Sequence, residues 1–95
     1  MGGNVRQFLT GGAPISAEVM DFYKVVFGCH ILNGYGMTET FAKGCNTESR
    51  DHESGHSGGP GNCILVRLKD VPEMGYYTTD DPPRGEVCFK GPTIF

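Results

Sequence analysis

An amphipathic segment bracketed by two short strand-like runs limits the first part of this chain to very few folds. Val19, Phe22, Tyr23 and Val26 recur at i, i+3, i+4 and i+7, the spacing of one helix face. Ser16 stands where an N-cap is needed, and Glu18 and Asp21 sit near the positive end of the helix dipole. Pro14 breaks the chain ahead of the segment, and Gly28 is placed to end it. The pattern predicts a helix over Ala17–Phe27, flanked by strands at 5–10 and 29–33. Strand, helix and strand within about 30 residues form a right-handed βαβ unit with parallel strands.

That topology puts two glycine-bearing stretches in register. Gly11-Gly12-Ala13-Pro14-Ile15 follows the first strand, and Gly34-Tyr35-Gly36-Met37-Thr38-Glu39-Thr40 follows the second. Ligands of open α/β sheets bind beyond the carboxyl ends of the strands, so neighbouring parallel strands make these two loops one site. Glycines at 34 and 36 let backbone approach a ligand, and Tyr35 offers a flat face. Thr38 offers a donor to a phosphate oxygen, and Glu39 a hard oxygen to Mg²⁺.

The later sequence has a different texture. Residues 43–61 are polar and glycine-rich, contain His52 and His56, and read as one long loop. Residues 63–69 form a strand candidate, followed by an excursion over 70–83. Glu86–Lys90 alternates, with Val87 and Phe89 on one face and Glu86, Cys88 and Lys90 on the other, the mark of a half-exposed strand. The chain divides into a βαβ segment at 1–42, a glycine-rich loop at 43–61 and a β subdomain segment at 62–95.

Composition excludes several classes. The net charge is −3, with the basic residues scattered, so there is no nucleic-acid footprint. No run of 18 apolar residues exists to span a membrane as a helix. The start carries no apolar stretch resembling a signal peptide, and Arg6 breaks the myristoylation pattern. The four cysteines are unevenly spaced, which makes reduced thiols in a cytosolic compartment the default. Apolar content is 38% and glycine is 15 of 95 residues. Many tight backbone positions with little core fit a piece of a larger enzyme.

In order and spacing, Leu9-Thr10-Gly11-Gly12-Ala13-Pro14-Ile15-Ser16, Tyr35-Gly36-Met37-Thr38-Glu39, Gly55-His56-Ser57-Gly58-Gly59-Pro60 and Arg84-Gly85-Glu86-Val87 resemble the adenylate-forming, AMP-binding ligases. Asp70-Val71-Pro72-Glu73-Met74-Gly75-Tyr76 resembles the long-chain fatty acyl-CoA synthetases among them. The resemblance runs over nearly the whole chain. It implies an interior fragment of the large N-terminal domain, with a β-barrel subdomain beginning after the βαβ unit. It implies activation of a fatty acid by ATP to an acyl-AMP, then transfer to coenzyme A. Carried over by position, Gly12, Ala13 and Pro14 line the adenine with backbone. Tyr35 stacks on its face between Gly34 and Gly36. Thr38 bonds the α-phosphate, Glu39 holds Mg²⁺, and Ile15 or Met37 touches the acyl chain. The implied partners are fatty acid, ATP, coenzyme A and the remainder of the ligase chain. The implied place is the cytoplasmic side, with endoplasmic reticulum or peroxisome membrane open to the full-length protein.

The chain departs from that family mainly by absence. It has no Ser/Thr/Gly-rich phosphate loop ending in Pro-Lys, no Tyr-x-Thr-Gly-Asp segment and no domain with a catalytic lysine. The expectation is an interior slice that makes no acyl-CoA by itself. Phe41, where relatives carry a small residue, would narrow the space near the site. Two rival readings stand beside this one. Cys45, His52, His56 and Cys63 are spaced near-symmetrically and would form a small zinc-binding module. A scaffold that binds nucleotide without chemistry is the other.

Overall fold

The computed structural model describes residues 2–95. Strand β1 (Gln7–Gly11), helix α1 (Ala17–Phe27) and strand β2 (His30–Tyr35) form the expected βαβ unit, with β1 and β2 parallel and Phe8 opposite Ile31. The helix starts where Ser16 Oγ accepts from the Val19 N–H at 3.3 Å. It ends where Gly28, in the left-handed region at φ 56°, donates its N–H to Lys24 O at 3.0 Å.

The helix packs with a different stripe from the one its periodicity predicts. Met20 is 1% exposed, and Phe27 meets Phe8 with ring centroids 4.9 Å apart. Tyr23 joins them 5.7 Å from Phe27, while Phe22 and Val26 remain exposed. The contact line is therefore Met20, Tyr23 and Phe27. Val19, Phe22 and Val26 lie to one side of it. Two adjacent apolar stripes on one helix are equivalent by spacing, and only the position of the sheet decides between them.

Both strands of the unit begin and end later than the sequence suggests. The first covers Gln7–Gly11 rather than 5–10, and the second His30–Tyr35 rather than 29–33. The second is lengthened by a partner absent from the sequence reading. Strand β3 (Cys45–Asn46) pairs antiparallel with it, Gly34 opposite Asn46 and Tyr35 opposite Cys45. Strand β4 (Gly59–Pro60) then pairs with β3, giving a mixed sheet of order β1-β2-β3-β4. Residues 43–61 are thus not one featureless loop: both ends return to the sheet. Each of these strands has 2 residues, too few for alternation to show.

A second sheet pairs β5 (Leu65–Lys69, starting after the predicted residue 63) with β6 (Glu86–Lys90), antiparallel, Val66 opposite Phe89. The excursion between them is built locally. Asp70 Oδ1 accepts from the Thr78 N–H at 2.7 Å, and Arg84 pairs with Asp80 at 3.0 Å. The first of these bonds holds the Asp70 carboxyl below the usual carboxylate range. Among the described residues the buried apolar side chains are Met20, Ile31 and Ile64, a thin core.

Candidate adenylate-site cleft

The parallel register brings the two glycine loops together. Thr10 lies opposite Asn33 and Gly11 opposite Gly34, so the chain leaves both strands at the same level. A Cβ on Gly11 would stand 2.9 Å from the Gly34 carbonyl oxygen, so only glycine allows this approach. Gly12, Ala13, Pro14, Gly34, Tyr35 and Gly36 all line one cleft of about 260 Å³, together with Asn33 and Ser57. Six residues singled out as nucleotide-lining by sequence therefore share one concavity.

Tyr35 ends β2 with its ring 42% exposed. In the structure Phe89 of β6 lies beside it, centroids 6.0 Å apart and planes 32° apart. Phe89 also covers Gly44, where an added Cβ would come within 2.6 Å of the ring. Gly44 in turn donates its N–H to Tyr35 O at 3.0 Å. The second sheet thus backs the aromatic residue of the cleft.

The loop after Gly36 is held from within. Thr40 is buried; its hydroxyl accepts from the Met37 N–H at 3.0 Å and donates to Met37 O at 2.9 Å. That bond shapes the short 3₁₀ turn Thr38–Thr40. Thr40, not Thr38, does the capping. Thr38 and Glu39 are exposed, and among the described residues their hydroxyl and carboxylate enter no hydrogen bond or ion pair. Neither lines the cleft. Phe41 and Ala42 follow at φ 50° and 66°, a strained conformation for residues with side chains. Phe41 turns away from the cleft to meet Phe95, centroids 5.0 Å apart.

Two polar side chains of the cleft escaped the sequence reading. Asn33 is buried, its backbone N–H donating to Thr47 Oγ1 at 2.9 Å and its backbone O accepting from the Thr47 N–H at 2.9 Å. Its Nδ2 donates to His56 O at 2.9 Å and to Ser57 Oγ at 3.4 Å. Asn33 directly precedes the Gly34–Thr40 stretch. Ser57 lies 24 residues away, and no local pattern links it to the site.

The zinc alternative does not survive the geometry. His56 Nδ1 accepts from the Gly58 N–H at 3.0 Å, and its shielded Nε2 faces Asp51 at 3.4 Å without hydrogen-bond alignment. Burial pushes the Cys45 thiol up. Among the described residues no three His, Cys, Asp or Glu side chains converge on a metal position, so Cys45, His52, His56 and Cys63 form no module.

Other cavities flank the cleft. One of about 580 Å³ on the uncovered sheet face is lined by Leu9, Leu32, Phe41 and Ala42 and shares Gly12 and Gly34 with it. One of about 250 Å³ under the helix is lined by Ile15, Phe8, Tyr23 and Phe27. Met37 lines neither.

The sequence profile of the AMP-binding enzymes matches residues 1–95. The chain is 48% identical to the peroxisomal long chain acyl-CoA synthetase 7 of Arabidopsis thaliana, over 100% of this chain and 14% of that protein. It is 45% identical to long-chain-fatty-acid--CoA ligase 1 of Homo sapiens, over 100% of this chain and 13% of that one. Among solved structures, it matches the A domain of a carboxylic acid reductase from Segniliparus rugosus in complex with AMP. That match has a TM-score of 0.77 at 35% identity, over 99% of this chain and 14% of the other. It also matches a benzoate CoA ligase from Burkholderia xenovorans LB400, TM-score 0.81 at 28% identity, over 95% of this chain and 18% of the other. With the glycine loops sharing one cleft and the family profile covering its full length, this chain belongs to the AMP-binding enzymes.

Proposed function

We propose that this chain carries the adenylate-forming site of an ATP-dependent long-chain fatty acid–CoA ligase. The observation that carries the reading is the single cleft formed by Gly12, Ala13, Pro14, Gly34, Tyr35 and Gly36. A flat aromatic face, bare backbone amides and little side-chain bulk suit a purine ring. The identity of 48% and 45% to long-chain ligases supports a long-chain fatty acid as substrate. The chain spans 14% and 13% of those two relatives' length, so the complete activity is that of a larger assembly of residues.

In this reading the fatty acid carboxylate attacks the α-phosphorus of ATP, forming acyl-AMP and releasing pyrophosphate. The thiol of coenzyme A then attacks the acyl carbon and AMP leaves. Catalysis of the first step is largely positioning and charge stabilisation. Tyr35 orients the adenine by stacking. Thr38, with its hydroxyl uncommitted, donates to an α-phosphate oxygen as charge gathers there. Glu39 presents an exposed, unpaired carboxylate, and Mg²⁺ is typically held by one or two carboxylates plus substrate phosphates. The residue present fits that ion, which when bound offsets charge on the phosphates. Residues 62–95 are read as the start of a β-barrel subdomain whose Phe89 supports Tyr35. A peroxisomal setting is proposed on the strength of the peroxisomal relatives. Among the described residues no helix is long and apolar enough to cross a membrane.

The test is palmitate-dependent exchange of pyrophosphate into ATP by the protein expressed from its natural gene, followed by palmitoyl-CoA formation. Exchange in the wild type, lowered about 10²-fold or more by Thr38→Val or Glu39→Gln, is expected. A wild-type protein that folds, binds AMP and shows no exchange with any fatty acid would overturn the proposal.

A further inference from the structure

Helix α1 holds the segment that leads to the cleft through two side chains, Lys24 and Asp21. Lys24 is 20% exposed, and its ammonium donates to His52 O at 3.1 Å, Glu53 O at 3.2 Å and Ser54 Oγ at 2.7 Å. Ser54 Oγ also donates to Asp21 Oδ1 at 2.5 Å. One helix turn thus grips three consecutive residues of a segment about 30 residues further along the chain. The segment's other contacts are mostly local, Asp51 Oδ1 accepting from the Glu53 N–H at 3.1 Å and His56 Nδ1 from the Gly58 N–H at 3.0 Å. It rejoins the sheet at β4, and two and three residues past the grip His56 O and Ser57 Oγ accept from Asn33. Ser57 is the part of the cleft wall that comes from outside the βαβ unit. Its Oγ accepts from Asn33, which leaves its own hydrogen free for an acceptor in the cleft.

We infer that Lys24 is a positioning residue for nucleotide binding. It fixes residues 52–54, these fix Ser57, and Ser57 donates to an acceptor nitrogen on the edge of the bound purine. Three charge-assisted bonds from one ammonium are strong individually, so the grip is a defined geometry rather than a loose surface pairing. The inference rests on reading the cleft as the adenine site.

The test is AMP affinity by calorimetry, using the protein expressed from its natural gene, for Lys24→Met, Ser57→Ala, the double variant and Tyr35→Ala. Lys24→Met is expected to raise the Kd for AMP about three- to tenfold, and Lys24→Arg to restore most of it. The rate at saturating ATP should stay within about twofold, since Lys24 touches no reacting atom. In the Ser57→Ala background, Lys24→Met should add almost nothing, because the two act through one contact. A loss of the same size in both backgrounds, or an unchanged Kd in Lys24→Met, overturns the inference. If Lys24→Met does not fold, Ser54→Ala decides: a raised Kd supports the grip and an unchanged one sinks it. Tyr35→Ala separates the layers. If it leaves AMP binding intact, the cleft is not the adenine site and both readings fall. If it weakens AMP while Lys24→Met does not, only the Lys24 inference fails.

Discussion

Gly36 has no room for even one methyl group, since a Cβ there would run into the Ala42 carbonyl and crowd the Gly44 nitrogen at 3.0 Å. Gly36→Ala should therefore displace the turn that carries Tyr35. We expect AMP affinity to fall more than tenfold and the melting temperature to drop, read by calorimetry and thermal denaturation. At this scale much of the site was legible. A tyrosine between glycines and a proline before a capped helix are local patterns with local causes, whereas Thr38 and Glu39, expected at the site, do not line the cleft. Asn33 and Ser57 were not legible, because their roles depend on a hydrogen bond across 24 residues. The thiols were half legible. Four free cysteines were expected and are present, but only the structure separates exposed Cys63 from half-buried Cys45. Iodoacetamide should label Cys63 well before Cys45, whose thiolate burial disfavours. Mass spectrometry of a timed reaction checks the order.

Among the elements, the helix was the clearest from sequence and its bounds are as its caps dictate. Ser16→Ala removes the acceptor for the Val19 N–H and should cost about 1 kcal/mol by chemical denaturation. Which apolar stripe of that helix meets the sheet was not decided by periodicity, and the true one runs through Met20. Strands β3 and β4 escaped notice because they are defined by tertiary pairing with β2, not by any pattern of their own. The excursion between β5 and β6 carries a pH dependence. Asp70 has a folded pKa lowered mainly by the Thr78 backbone bond. Its contribution is present above the ordinary value of 3.8 and is lost as pH falls through the lower, folded value. The stability gap between wild type and Asp70→Asn should stay constant at neutral pH and close in strong acid, as thermal melts across that range will show.

For the molecule as a whole, Phe89 is the tie between the two sheets, touching both Tyr35 and Gly44. Phe89→Ala is expected to destabilise by about 2 kcal/mol and also to weaken AMP binding, because Tyr35 loses its backing. A melt and an AMP titration on the same sample check both effects. The overall shape agrees with a thin core: the radius of gyration is 15.3 Å, against about 13 Å for a compact 100-residue domain. Low apolar content and abundant glycine pointed to that in the sequence, whereas the join between the sheets rests on a ring-to-glycine fit that no composition reveals.

The free edge of β1 has a consequence for handling these 95 residues alone. The sheet runs β1-β2-β3-β4, so among the described residues the outer amides and carbonyls of β1 have no strand beside them. Leu9, in the middle of that strand, stands exposed on the uncovered face. A bare row of hydrogen-bonding groups next to an apolar side chain is a template for a strand from another copy. Concentrated samples of the isolated polypeptide should seed ordered, dye-binding aggregates, and a charged residue at position 9 should delay them.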